Sequence, residues 1–582
     1  MNKKPVPSYI RSVCTFAFVL SLLSCGVFAQ NPSRERTAPK PTQTPVPKPT
    51  VVITTNPTPT PAPTVTPAVQ TLSDLQARVQ SALSRPEFRR GTVGIKIVSL
   101  NSGKLIFEQN GEKYVMPASN MKNFTVAAAM ERLTPDFRFV TSVFAPSQPD
   151  ANGTVKGDLR IYGRGDVSIS TAFNNGDYYK GLDNLVDKIV AAGVKRVEGD
   201  LIGDESYFRG PEIPGEWEYD DLQWYYGAGI SALPINDNAV DLTVKPGPVG
   251  YGCVVTLLPV NPVFRINNRC TTTASDSQET LQITKDPDQN VIDISGTVPT
   301  SGKGFTGSIT VSNPGELFVS LLKQRLQEKG VTVTGQTRTI SYNGAANPSS
   351  GVNPSSGAAT PSSQPPPTAR SFNTMIPLAQ EIAKLESPPF SIIAAKTMKP
   401  SQNMYTETIL RTLGEWLREK DLRDAATENR QPVYQTQDSV DVGLAATKAF
   451  RQEIGIPEDA VVQHDGSGLS RHDLITPSSV VQLYIYMAKQ SKFAQAWRDA
   501  LAVGGVDGTL RRRFAGTPAA NNLRGKTGTI DQVSALSGYM TTAGGEPIVF
   551  SIVVNGVPGE GTRVHLIDEI VLNVANFNGK VD

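Results

Sequence analysis

The sequence predicts an α+β protein in which one domain, written in two chain segments, is interrupted by a β-rich inserted segment of one or two subdomains. Three observations predict it. Residues 71–145 and 371–582 mix helical with strand periodicity and together amount to about one large domain. Residues 146–342 break into short β-like runs punctuated by Gly, Asn, Asp and Pro. Three short elements rich in hydroxyls and amines, at 119–122, 401–403 and 526–529, fall on both sides of that interruption.

The elements follow in chain order. Residues 1–29 read as an export signal: Lys3, Lys4 and Arg11 precede an apolar run over 13–23 and then small residues. That run is far shorter than the roughly 20 residues a spanning helix needs. Two processing sites compete there, a signal-peptidase cut before Gln30 and a lipoprotein-type box that would acylate Cys25, the one route to membrane contact. Residues 30–70 are dense in proline and threonine and predict an extended, semi-rigid linker. From Thr71, Leu72, Leu75, Val79 and Leu83 recur at helical spacing behind a Thr71/Ser73 cap. Residues 92–107 predict two strands joined at Asn101-Ser102-Gly103, and 119–133 a short apolar helix. Strand-like runs at 159–162, 254–258 and 292–298 mark the inserted segment. It also holds Cys253 and Cys270, for which an exported chain predicts a disulfide, with two buried thiols as the alternative. Residues 343–370, with Asn-Pro-Ser-Ser-Gly repeated, predict a disordered low-complexity insert. Strands over 533–540 and 548–554 and a closing helix over 564–577 complete the chain.

Composition excludes some function classes. With 56 Lys+Arg against 54 Asp+Glu there is no clustered basic excess for nucleic acid. Three histidines, and four cysteines of which Cys14 and Cys25 lie in the leader, leave no multi-histidine or zinc–cysteine centre. No metal and no cofactor is expected.

What can carry chemistry is modest in each part. Ser119-Asn120-Met121-Lys122 is an S-x-x-K at a helix start, where residues i and i+3 share a face and the Lys122 amine can reach the Ser119 hydroxyl. Serine becomes a nucleophile only beside a base, and lysine becomes a base only when desolvation or a second cation lowers its pKa. Ser401-Gln402-Asn403 offers a second hydroxyl as a proton relay and an amide able both to donate and to accept. Lys526-Thr527-Gly528-Thr529, on an edge strand, suits a substrate carboxylate, and the Lys526 charge would depress Lys122 if the two are close. Each match is weak alone, since capping serines and surface lysines produce all three by chance.

In this order, S-x-x-K, S-x-N and K-T-G form the signature of serine penicillin-recognising enzymes. The stretches MPASNMKNFTVAAAMERL, GRGD, SALPINDN, SPPFSIIAAKTMKPSQNMYTETILRTLG, DGSGLSR, GGVDGTLRRRF and LRGKTGTIDQVSALSGY resemble class C low-molecular-mass penicillin-binding proteins, the penicillin-binding protein 4 type of D-alanyl-D-alanine carboxypeptidase/endopeptidase. The resemblance implies a penicillin-binding/β-lactamase-like transpeptidase domain, an antiparallel sheet with helices, around the inserted β-rich segment. It implies peptidoglycan stem peptides as substrate, β-lactam antibiotics as covalent inhibitors, and a periplasmic or wall-side location. It also implies Ser119 as nucleophile, Lys122 as its base, Ser401 as relay, Asn403 on the acyl-side amide and Lys526 with Thr527 in the proton network. Gly528 and Thr529 would line the carboxylate subsite, and the N–H groups of Ser119 and Thr529 would form the oxyanion hole.

Arg471 of DGSGLSR matches a pocket-lining position, with a structural salt bridge as its alternative. Asp221 matches an acid thought to face a diaminopimelate amine, and its neighbour Asp220 keeps that assignment open. Asp166 reads as a turn residue, and His464 and His472 as structural. Gln402 departs from the usual Asp or Asn. A β-lactamase or esterase on the same fold and a non-catalytic wall-binding protein are the competing functions. The first lacks a convincing E-x-x-x-N glutamate element between 403 and 526, and the second sits poorly with a full set of reacting groups.

Overall fold

The computed structural model describes residues 71–342 and 379–581. The export signal, the proline-rich linker and the low-complexity stretch 343–370 lie outside the described residues.

A six-stranded sheet forms the centre of the first region, in the order Leu105–Gln109, Thr92–Ser99, Pro547–Asn555, Val533–Thr541, Arg524–Ile530, Ala502–Val503. Every pairing in it is antiparallel. Alternation along Pro547–Asn555 shows why the strand reads as an unbroken apolar run. Ile548, Phe550, Ile552 and Val554 face one core, whereas Val549 and Val553 face another. The first core is closed by helices Leu72–Leu83 and Glu560–Ala575, which bring Leu75, Val79, Leu566 and Ile570 onto the sheet. Thr71 accepts the Asp74 N–H at the start of Leu72–Leu83, so the cap read from the sequence is present. The second core gathers Phe124, Met130, Tyr405, Ile409, Tyr484 and Trp497 around helices Lys122–Leu133 and Asn403–Glu428. These two helices carry the first two chemical elements, and strand Arg524–Ile530 carries the third.

The inserted segment is β-rich but not all-β. A five-stranded sheet runs Thr337–Ile340, Leu201–Asp204, Leu159–Tyr162, Val140–Ala145, Gln380–Glu386; its first three strands are parallel, and its last two come from residues outside 146–342, on the flanking stretches. Helices Lys180–Ala191 and Pro314–Glu328 cover it, as parallel strands require. The sequence reading missed both helices. Leu182, Leu185, Val186 and Ile189 do hold helical spacing and are buried, but Gly, Asp and Asn among and around them look like loop punctuation. Asn313 caps the second helix by accepting the Glu316 N–H, with Pro314 in its first turn. A three-stranded sheet, Phe305–Thr310, Ala239–Lys245, Val254–Leu258, lies farther along, and Cys253 and Cys270 are joined there with their Cα atoms 5.4 Å apart. Among the described residues no helix is long and apolar enough to cross a membrane.

Candidate active site

Three backbone peculiarities assemble the site. The chain enters it through Ala118 at φ 46°, in a single 3₁₀ turn Ala118–Met121 that runs directly into helix Lys122–Leu133. Ser119 and Lys122 therefore project from one short turn. Ser401 is also left-handed, at φ 67°, immediately before helix Asn403–Glu428. A left-handed non-glycine residue is costly and is held only where its surroundings dictate it, and such residues concentrate at functional sites. Gly528 lies against the Ser119 turn: a Cβ there would come 2.6 Å from the Pro117 carbonyl oxygen and 3.2 Å from the Ala118 Cβ.

The result is two buried lysines, each on a serine hydroxyl. Lys122 Nζ donates to Ser119 Oγ at 3.0 Å, to Asn403 Oδ1 at 2.6 Å and to the Ser467 carbonyl at 2.7 Å. Lys526 Nζ donates to Ser401 Oγ at 2.8 Å and to the Thr527 carbonyl at 2.8 Å. Exposure of the two lysines is 0% and 1%. Burial brings Lys122 down to a pKa of about 7 against the pull of Asp465, Glu407 and Asp473. Lys526 falls well below its ordinary value, first through burial and then through the Lys122 charge. Burial is the first cause of both shifts, and the repulsion between the two amines, which acts on both alike, disfavours their being charged together.

The remaining contacts lock this pair in place. Asn403 Nδ2 donates to the Tyr226 carbonyl at 2.8 Å, tying the Asn403 helix to the inserted segment. Gln402, the unusual residue, accepts the Met404 N–H at 3.2 Å and donates to Asp237 Oδ2 at 3.3 Å, so it caps its own helix and grips the insertion. Thr527 Oγ1 bonds Thr509 Oγ1 at 2.7 Å, and the Asn120 amide donates to the Lys526 carbonyl at 3.2 Å.

The outer residues divide. Arg471 Nε lies 2.7 Å from Glu218 Oε1, and its Nη1 donates to the Asp531 carbonyl at 3.2 Å, which is the salt-bridged arrangement. Asp221 ends the turn Tyr219–Asp221 and is partly buried, whereas Asp220 is exposed. That stretch is fastened at both ends. Trp217 Nε1 donates to Asp465 Oδ2 at 3.0 Å, and Tyr226 meets Asn403. His464 Nδ1 sits 3.0 Å from Glu216 Oε1, with the His472 ring 5.9 Å away centre to centre. Asp166 caps a turn by accepting the Ser168 N–H and hydroxyl, and burial raises it to about 6.

Sequence reading missed a buried acid group behind Lys122. Glu407, Asp465 and Asp473 are at most 1% exposed. Asp465 accepts N–H groups from Gly468, Leu469 and Ser470 at 2.6–3.1 Å and so shapes the loop whose Ser467 carbonyl meets Lys122. DGSGLSR had marked that loop, but an acid four positions past Asn403 in a long helix carries no signal of its own.

With this geometry in view, the class is plain: a serine hydrolase of the penicillin-recognising fold. The chain belongs to the D-Ala-D-Ala carboxypeptidase 3 (S13) family, whose model matches residues 75–348 and 373–576. It is 30% identical over 519 residues to the D-alanyl-D-alanine carboxypeptidase of Actinomadura sp. (strain R39), covering 87% of this chain and 86% of that one. It is 25% identical over 473 residues to the D-alanyl-D-alanine carboxypeptidase DacB of Haemophilus influenzae, covering 80% and 85%. The crystal structure of penicillin binding protein 4 (dacB) from Haemophilus influenzae superposes with a TM-score of 0.67 at 22% identity, over 86% of this chain and 98% of that one. The expected α+β fold with a β-rich insertion, the penicillin-binding protein 4 type and the serine D-alanyl-D-alanine carboxypeptidase activity are all borne out.

Proposed function

We propose that the carboxypeptidase reaction runs through an ester on Ser119 and that the same site opens D,D cross-links between peptidoglycan stem peptides. The pairing of two buried lysines with two serine hydroxyls supports this reading more than any other observation. Near neutral pH a lysine with a pKa of about 7 is half unprotonated, the state a general base needs. Ser119 Oγ attacks the carbonyl of the penultimate D-alanine while Lys122 takes its proton. The C–N bond then breaks as the proton taken from Ser119 is relayed through the Ser401 hydroxyl, held by Lys526, to the departing amine, and water hydrolyses the ester and returns a proton to Ser119 Oγ. Asn403 holds Lys122 through Oδ1 and keeps a second Nδ2 hydrogen for the acyl-side carbonyl. Strand Arg524–Ile530 is not the outermost strand, but Ala502–Val503 pairs only with Arg524 and Gly525, and the Lys526–Thr529 stretch beyond them receives the peptide as an added strand, its terminal carboxylate facing Thr527 and Thr529, with the Ser119 and Thr529 N–H groups on the oxyanion.

Asp221 faces the stem-peptide side-chain amine in this reading, and Arg471 shapes the pocket through Glu218. A Haemophilus influenzae relative is described in complex with a β-lactam. Here a β-lactam acylates Ser119 and stays there. The leader places the protein on the wall side of the membrane, and the mass of the mature N-terminus distinguishes Cys25 from Gln30 processing. Labelled penicillin forms a covalent adduct that is lost in Ser119→Ala, and an adduct that survives refutes the assignment. Release of D-alanine from a monomeric pentapeptide, measured beside cleavage of a cross-linked dimer, separates the two peptidase activities.

A further inference from the structure

Helix Asn403–Glu428 brings a second group to the site one turn after Asn403. Glu407 is wholly buried, and both carboxylate oxygens accept the same N–H, that of Gly466, at 3.0 Å. The next residue carries the Ser467 carbonyl that accepts Lys122 Nζ at 2.7 Å. The Gly466 carbonyl is taken by Thr125 Oγ1 at 2.9 Å, on the helix of Lys122 itself. Two consecutive residues of backbone therefore bridge a buried carboxyl on one helix to the buried amine on another.

The groups facing this bridge can be named from every side. Asp465 and Asp473 approach from the DGSGLSR loop, Arg411 from one turn further along the Glu407 helix, and Lys526 from the strand beside Lys122. Asp465 is saturated with donors: Trp217 Nε1 and three backbone N–H groups. Asp473 lies behind it beside Arg451. Its Oδ2 finds no N–H or O–H partner, and burial together with Asp465 raises its pKa well above the usual carboxylate range. Arg411 gives its Nη2 to the Pro211 and Glu212 carbonyls and leaves Nε unbonded. Glu407 is thus a carboxyl close to Lys122 with no direct ion pair of its own, and burial raises it to about 7, the range in which Lys122 titrates.

We propose that Glu407 is a positioning residue that fixes the Gly466–Ser467 backbone against Lys122, and that its charge, beside that of Asp465, raises the pH at which the amine becomes a base. An ionised carboxyl this close in a dry site favours the ammonium form, and a neutral one does not. Losing the charge while keeping the shape therefore frees the amine at lower pH. The inference rests on Lys122 acting as the base for Ser119.

The test is the pH profile of penicillin acylation in the full-length protein, wild type beside Glu407→Gln and Lys122→Ala. Glu407→Gln keeps an acceptor for Gly466 and removes the charge. Its acidic limb is expected to shift to lower pH, the difference appearing near and above pH 7, where Glu407 carries its charge, and vanishing toward pH 5, where it does not. Loss of packing alone would lower the rate at every pH and leave the limb where it was. A limb that stays in place while Lys122→Ala is inactive overturns this inference and spares the base assignment. Acylation at wild-type rate in Lys122→Ala overturns the base assignment and this inference with it. Should Glu407→Gln not fold, Glu407→Ala decides: it removes the same charge, and a limb left where the wild type has it overturns the proposal.

Discussion

Gly468 sits directly beneath Ala118. A Cβ built on Gly468 would fall 1.8 Å from the Ala118 carbonyl oxygen, and the glycine itself holds φ 78°. Both facts forbid a side chain, because the left-handed region and the backbone contact each penalise one. Ala118 is itself left-handed and leads straight into Ser119, so the loop bearing the Ser467 carbonyl and the turn bearing Ser119 are pressed together at this point. Gly468→Ala is expected to separate them. Penicillin acylation should fall at least tenfold and thermal stability should drop, whereas Gly516→Ala, equally left-handed but with open space around it, should leave acylation intact. Stopped-flow acylation beside a melting curve checks both.

The same compression acts from the strand side. An alanine at Gly528, with the Pro117 carbonyl 2.6 Å away, must push strand Arg524–Ile530 off the Ser119 turn. Overpacking of this kind costs about 1–3 kcal/mol. Lys526 and Thr527 move with the strand, so the distance from Lys526 to Ser401 opens as well. Acylation by penicillin in Gly528→Ala should be slowed more than its stability loss alone would produce, which comparison at a temperature well below both melting points reveals.

The fold was legible where periodicity and caps agree. Thr71 caps the helix it was expected to cap, and the strands over 92–107 and 533–554 fall within a few residues of their expected limits. It was illegible where parallel strands need covering helices, because Lys180–Ala191 and Pro314–Glu328 sit among residues that also punctuate loops. In the site, Ser119, Lys122, Ser401, Asn403 and Lys526 carried short patterns that their order made specific. Glu407, Asp465 and Asp473 act through burial, and burial of an acid is decided by tertiary packing that one local stretch of chain does not encode.

Acylation should titrate with Lys122. Its folded pKa of about 7 makes the amine increasingly neutral as pH rises, so the rate should climb about tenfold per unit below pH 7 and level off above it. Lys122→Arg keeps the positive charge at all accessible pH. Its acylation should be slower by orders of magnitude and should lose the limb centred near pH 7. A wild-type profile flat between pH 5 and 8 would contradict the role given to Lys122.

Trp217 gives a way to test how the inserted segment supports the site. Its indole N–H reaches Asp465 Oδ2 at 3.0 Å, and it is 7% exposed. Trp217→Phe retains an aromatic ring but removes a donor from a buried carboxyl, a loss of about 1–3 kcal/mol. Asp465 holds the 468–470 loop through three backbone N–H groups, so the loop loosens and the Ser467 carbonyl with it. The expected outcome is reduced stability with acylation several-fold slower. Stability lost without any change in acylation would show that the Trp217 contact serves the fold alone.

The disulfide should behave in the opposite way. Cys253 and Cys270 are 17 positions apart and lie in the outer part of the inserted segment, where they fasten the end of strand Val254–Leu258 to strand Thr271–Thr273. A loop of this length constrains the unfolded chain by about 3 kcal/mol. Neither cysteine belongs to the apolar cluster that surrounds Lys122 and Tyr405; both belong to the cluster of the insertion. The double variant Cys253→Ser/Cys270→Ser is therefore expected to unfold at lower denaturant concentration while labelled penicillin still acylates it at the wild-type rate. Acylation lost at a denaturant concentration where the variant is still folded would mean that the outer part of the insertion bears on the chemistry.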